Sequence, residues 1–388
     1  MKEKLYICLV SSSLYPVPAW SYYYGYGSES IVYYLLNELE RRGYKVDLIA
    51  PQQSIRPKTG KLYPIPCSYG EIDYDCELKA YEWYYDEIKN VDIIHDLSST
   101  CVLSERIYYY HNLKPPFIIT RNGIDFTRPR GVKINIVVLS EYAKKCALEG
   151  INSAFYGVPG FEYIKPIDWL KLKDVRVVYY GIPEDLYQFE SNKEDYILFV
   201  GRTHISKGID LILEVAKLLP NERFIICTRP ARRDHFEYLH YYMLRSKEMG
   251  LRNVEFYIHK SGFKGQLEKI RLYQKAKCFL SPNIYVEALG LASIESMMCG
   301  TPVIVSDRGA GREIVNDRVG YVVPIEKVNF NLQRILEEIK KGIKYCEELD
   351  YKEVREYCVK RFSSRVMCDN YLRLYYEVIE KGGIGWGL

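Results

Sequence analysis

Apolar positions along this chain fall into short continuous runs separated by stretches of helical period. In the first half the runs lie at 5–10, 45–50, 91–97, 117–120, 135–140 and 175–182. A strand covered on one face alternates apolar and polar residues, whereas a run that is apolar throughout belongs to a strand covered on both faces. The clearest helical stretch is 28–43, where Ile31, Leu35, Leu36 and Leu39 share a face and Gly43 supplies a stop. Strands and helices in alternation predict a doubly wound parallel sheet.

A polar stretch at 181–195 reads as a linker, and after it the pattern begins again. Apolar runs at 195–202, 223–228, 254–259, 277–282, 302–306 and 320–324 are separated by helical stretches that include 209–220, 264–276 and 291–299. This predicts a second Rossmann-like sheet and the division 1–183, 184–362 and 363–388. The last of these is a helix from about Ser363 to Lys381 with no strand after it to pack a further repeat. It is expected to cross back onto the first domain. Two such domains on one linker make a cleft, and clefts between domains are favoured ligand sites.

Composition narrows the classes. A length of 388 residues suits two domains with a core each. A formal net charge of +4 gives no field for nucleic acid. The 11 cysteines form no CxxC pair and no cluster with histidine at zinc spacing. That predicts no metal site and a reducing, cytoplasmic compartment. No apolar run reaches the roughly 18 residues that a membrane span requires. Residues 100–176 are locally basic, with 12 Lys or Arg against 7 Asp or Glu, an excess of 5. Their segment 161–174 is either an ordinary solvated face or a patch for peripheral contact with a membrane or an anionic acceptor.

Candidate chemistry concentrates in residues 282–307, PNIYVEALGLASIESMMCGTPVIVSD. Pro282 and Asn283 end a strand, Glu287 sits in the loop, and Gly290 turns the chain into a helix. Gly300 and Pro302 stop that helix. A helix start presents free N–H groups and a positive dipole end, which suits phosphate or sugar oxygens. Glu287 and Glu295 flank it and can accept hydrogen bonds from sugar hydroxyls. In FVGRTHISKGIDLIL (199–213), Arg202 follows a strand directly and Lys207 precedes a helix, a pair suited to a diphosphate. Gly25 and Gly27, after the first strand, would let backbone N–H groups approach phosphate. They lack the GxGxxG spacing.

These segments together resemble the retaining, GT-B-fold glycosyltransferases of family four (glycosyl transferases group 1). The resemblance implies transfer of a sugar from a UDP- or GDP-sugar to a hydroxyl acceptor, with retention at the anomeric carbon and no metal or other cofactor. It implies that Arg202 and Lys207 hold the diphosphate and that Glu287 contacts the donor sugar at the reacting carbon. Glu295 would bind the ribose, and the backbone of Leu289, Gly290 and Leu291 would reach sugar or phosphate. His259 would lie in the segment that meets the base. The first domain would bind a glycan, lipid-linked or small-molecule acceptor. Relatives carry a histidine in a T-x-H-G pattern for which this chain has TRNG, so Asn122 stands as the candidate sugar contact. Two other readings share the architecture: a non-catalytic nucleotide-sugar-binding module, and a nucleotide-sugar epimerase or phosphorylase.

Overall fold

The computed structural model describes residues 4–19, 27–66, 72–124, 132–168, 171–230 and 233–387. They form two compact α/β units, one of residues 1–153, 165–181 and 364–388, the other of residues 154–164 and 182–363. The segment 154–164, expected in the first domain, groups with the second unit, and the linker boundary falls at 181/182. No helix among the described residues is long and apolar enough to cross a membrane.

In the first unit the chain runs through β1 (Tyr6–Val10), α1 (Gly27–Arg41), β2 (Lys45–Pro51), β3 (Leu62–Ile65), α2 (Tyr74–Ile88), β4 (Ile93–Asp96), α3 (Val102–Tyr110), β5 (Phe117–Thr120), β6 (Ile136–Val138), α4 (Glu141–Glu149) and β7 (Arg176–Val177). The strands pair in parallel in the order β3-β2-β1-β4-β5-β6-β7. β3 escapes the apolar-run rule because it is a short edge strand with Pro64 inside it, where a missing N–H costs no ladder bond.

The second unit contains β8 (Glu194–Val200), α5 (Ile209–Leu218), β9 (Phe224–Thr228), α6 (Arg233–Glu248), β10 (Val254–Ile258), α7 (Gly262–Lys275), β11 (Ala276–Ser281), α8 (Leu291–Met298), β12 (Val303–Ser306), α9 (Gly311–Ile314), β13 (Gly320–Val323), α10 (Leu332–Cys346) and α11 (Tyr351–Phe362). Its strand order, β10-β9-β8-β11-β12-β13, is again fully parallel. α5 and α10 pack against each other on one face of the sheet, and their apolar residues (Ile209, Ile212, Leu213, Ala216; Ile335, Ile339, Ile343) join one core with Ile197, Phe199, Cys278, Leu280 and Ile304. Gly300 takes φ +80° after α8, as a left-handed helix stop requires.

The strand order reverses direction between β8 and β11. In an open parallel sheet that switch point leaves a crevice outside the carboxyl ends of the strands, where ligands bind. In this unit the loops entering the crevice are 201–208 and 282–290.

The last helix, α12 (Ser364–Glu380), belongs to the first unit and lies on α1 and β5. The Tyr375 hydroxyl is 2.7 Å from His95 Nδ1, and Tyr371 shares Thr120 Oγ1, which is 2.7 Å from His95 Nε2. Both nitrogens of His95 are therefore used by the scaffold, and burial drives its pKa down to about 3. Beyond the helix, the Trp386 indole N–H donates to Ile136 O at 3.0 Å.

Candidate active site

Arg202 lies just beyond the end of β8, after Gly201, and is exposed. A turn of 3₁₀ helix over Ile205–Lys207 then ends at Gly208, which has φ +71°. A Cβ on Gly208 would stand 2.2 Å from Pro282 O, so glycine lets this loop close onto the end of β11. That approach sets Lys207 Nζ 2.5 Å from Glu287 Oε2. Asn283 Nδ2 donates to the same oxygen at 3.2 Å, while its own Oδ1 is buried without a hydrogen-bond partner.

Glu287 is fixed at its main chain as well. Its N–H donates to Arg308 O at 3.2 Å, and its carbonyl accepts from the Ala310 N–H at 3.0 Å. Three residues on, Gly290 takes φ +90° and opens α8, and no side chain caps the helix. The first N–H groups of a helix have no partner within it, so this start carries open donors and the positive dipole end beside Glu287. The side chain of Leu289 is buried and that of Leu291 half-buried, which leaves their main chain as the group available to a ligand.

Glu295 lies on the second turn of α8 and is held by three donors. The hydroxyl of Tyr187 and the ammonium of Lys269 reach Oε1 at 2.6 and 2.9 Å, and the hydroxyl of Tyr273 reaches Oε2 at 2.8 Å. A carboxylate offers about four acceptor directions, so roughly one is left for a ligand. His259 closes the far side of the sheet edge. Its carbonyl accepts from Arg229 Nη1 at 2.8 Å and burial lowers its pKa, keeping the ring neutral near pH 7. Just beyond it, α7 starts at Gly262 with φ +73° and, like α8, has no side-chain cap.

The structure thus gathers Arg202, Lys207, Glu287 and the start of α8 at one switch point, with Glu295 inside the same helix. Sequence reasoning missed Asn283, Lys269 and Arg308. Each is a polar residue at or near a strand end or on a helix face; Asn283 meets Glu287 four residues on, while Lys269 and Arg308 find Glu295 and Tyr156 at greater separation in the chain.

The first-unit candidates stand differently. Gly27 is the exposed first residue of α1, and Gly25 lies outside the described residues. Asn122 donates from Nδ2 to Leu97 O at 3.0 Å and accepts from the Tyr180 hydroxyl at Oδ1. Both ends of its amide are thereby used inside the unit. The carboxyl edge of this sheet also buries Glu77, which accepts from the Ser13 N–H at 2.6 Å, from the Ser13 hydroxyl at 2.8 Å and from Thr100. Burial raises its pKa to about 7.

Residues 184–354 match the family model described as glycosyl transferases group 1. The matched segment covers every candidate site residue of the second unit. One similar protein is an uncharacterized glycosyltransferase, MJ1607, of Methanocaldococcus jannaschii, 32% identical over 37% of this chain and 36% of its own length. The chain spans between about a third and a half of the length of the first curated relatives it matches. Solved structures align over nearly the whole chain and show the fold to be GT-B. Sucrose-phosphate synthase of Thermosynechococcus elongatus is 17% identical over 97% of this chain and 100% of that one, with a TM-score of 0.71. Anabaena HepE, solved with UDP and glucose, is 12% identical over 95% and 98%, with a TM-score of 0.62.

Proposed function

We propose that the protein transfers a sugar from a nucleotide diphosphate sugar to a hydroxyl acceptor, with retention at the anomeric carbon. The observation that carries this reading is the Lys207–Glu287 pair at the switch point, set against the uncapped start of α8. In the reaction the bond from the anomeric carbon to the diphosphate oxygen breaks, and a bond from that carbon to the acceptor oxygen forms on the same face. The acceptor proton passes to the departing diphosphate. Charge therefore develops on the diphosphate, and fixed cations and helix N–H groups stabilise it there without reorganising. Arg202 and Lys207 supply the cations in place of a metal ion. Glu287 orients the donor sugar, and the remaining acceptor direction of Glu295 takes a ribose hydroxyl. The first unit binds the acceptor.

UDP-sugars are the first donors to test, since HepE was solved with UDP and glucose. A ligand that binds only the folded state raises the melting temperature by mass action. The test is a thermal-shift panel of UDP-, GDP- and ADP-sugars, followed by an assay of slow donor hydrolysis. We expect a concentration-dependent shift and release of free sugar with at least one of them. No shift with any nucleotide sugar ends this reading.

A further inference from the structure

The segment 154–164 and Arg308 have no part in the assignments above, and the structure joins them to Glu287. Arg308 is 3% exposed, an unusual state for a guanidinium. Its donors are spent on three separate pieces of chain. Nε reaches Ile284 O at 3.2 Å, Nη2 reaches Tyr156 O at 2.6 Å, and Nη1 meets the carboxylate of Glu326. Its own carbonyl accepts the Glu287 N–H. The segment 154–164 is tied down again beside this point, because the Val286 N–H donates to Ala154 O at 2.9 Å and the Phe155 ring packs edge-on to Tyr285, 4.5 Å between centroids. Gly309, with φ +93°, admits the approach: a Cβ there would stand 2.1 Å from Glu287 O.

We propose that Arg308 is a positioning residue for Glu287, and that residues 154–164 are the strap that completes the positioning. The loop 282–290 has no regular structure over its middle, so without the strap and Arg308 little would fix its backbone. A planar guanidinium with five donors can serve three acceptors in fixed directions, which an ammonium cannot. The inference rests on the proposed function only for its catalytic consequence. The positioning itself is a property of the free protein.

The test uses the full chain with Arg308→Gln, Arg308→Lys and Glu326→Gln, the last a milder variant should Arg308→Gln fold poorly. Amide hydrogen exchange at Val286 and Glu287 reads the loop without any substrate. Transfer kinetics and UDP binding read its consequence. We expect faster exchange at those two amides with β8 and β12 unchanged. We also expect kcat lowered ~10- to 100-fold, since misplacing a reacting group by about 1 Å costs on that order. UDP affinity should stay within about threefold, and Arg308→Lys should recover part of the loss. Unchanged exchange at Val286 and Glu287 overturns the proposal, as does a loss of UDP affinity as large as the loss of kcat. If the wild-type protein transfers no sugar, only the proposed function fails, and the exchange result still decides the positioning.

Discussion

Lys207 and Glu287, 80 positions apart in sequence, hold each other at 2.5 Å across the mouth of the second unit's switch point. Under the proposed roles, this pairing competes with the donor, because the cation that would hold the diphosphate is already engaged. Glu287→Gln removes the competing charge. UDP should then bind several-fold more tightly, while sugar transfer falls by roughly 10²-fold, the scale of losing one preorganised group at a reacting centre. Calorimetry and a transfer assay read the two effects separately. Weaker UDP binding in this variant would contradict the roles given to the pair.

Arg202 presents the opposite situation. It is exposed and makes no ion pair among the described residues, so its removal should change stability by less than about 0.5 kcal/mol. Arg202→Ala should nevertheless lower transfer at least tenfold and weaken diphosphate binding. Unchanged turnover would remove Arg202 from the site.

Two left-handed glycines flank Glu287, and they should not be equally sensitive. At Gly290 the nearest atom to an added Cβ is Ile314 Cδ1 at 3.5 Å, so Gly290→Ala should cost only the backbone term of about 1–2 kcal/mol. At Gly309 the Cβ would collide with the Glu287 carbonyl, so Gly309→Ala should cost clearly more. Urea midpoints of the two variants test this, and equal losses would mean that the 287–309 bridge does not hold the loop.

In the first unit, two buried groups titrate with opposite signs. His95 has a folded pKa of about 3 against 6.5 unfolded, so between these values the unfolded chain binds a proton that the folded chain refuses, and stability rises with pH. Glu77 has a folded pKa of about 7 against 4.5 unfolded, so between these the folded chain holds the extra proton, and stability falls as pH rises. From pH 4.5 to 6.5 the two slopes oppose, each at most about 1.4 kcal/mol per pH unit. Glu77→Gln should therefore gain stability with pH over that window relative to the parent. Denaturation at pH 4.5, 5.5 and 6.5 measures it, and parallel curves would show that Glu77 is not the balancing group.

Much of this fold could be read from the chain because both sheets are buried on two faces, which turns each central strand into an apolar run. Arg202, Lys207, Glu287 and Gly290 were legible for a related reason: each lies in a loop between a strand's carboxyl end and the next helix, and parallel topology sends those loops to one edge. Edge strand β3 was not legible, since burial on one side leaves no continuous run and Pro64 reads as a break. The strap was hidden because its aromatic, glycine and proline residues carry no period, and its docking partners Tyr285 and Arg308 lie more than a hundred positions on. Asn122 fell at the pattern position of a ligand contact, but its amide bridges Leu97 and Tyr180. Sequence position alone does not say where a side chain turns.

The seating of α12 against His95 and Thr120, with Trp386 on β6, bears on how the protein is made. Synthesis proceeds from the N-terminus, and domains generally fold as they emerge. Here the first unit stays uncovered at β5 and β6 until the ribosome has finished the whole of the second. A nascent chain therefore carries an exposed apolar face throughout synthesis of the second unit, and a premature stop after α11 would leave the second unit intact and injure the first. In this molecule β5 and β6, translated before the second unit, are fully enclosed only after it.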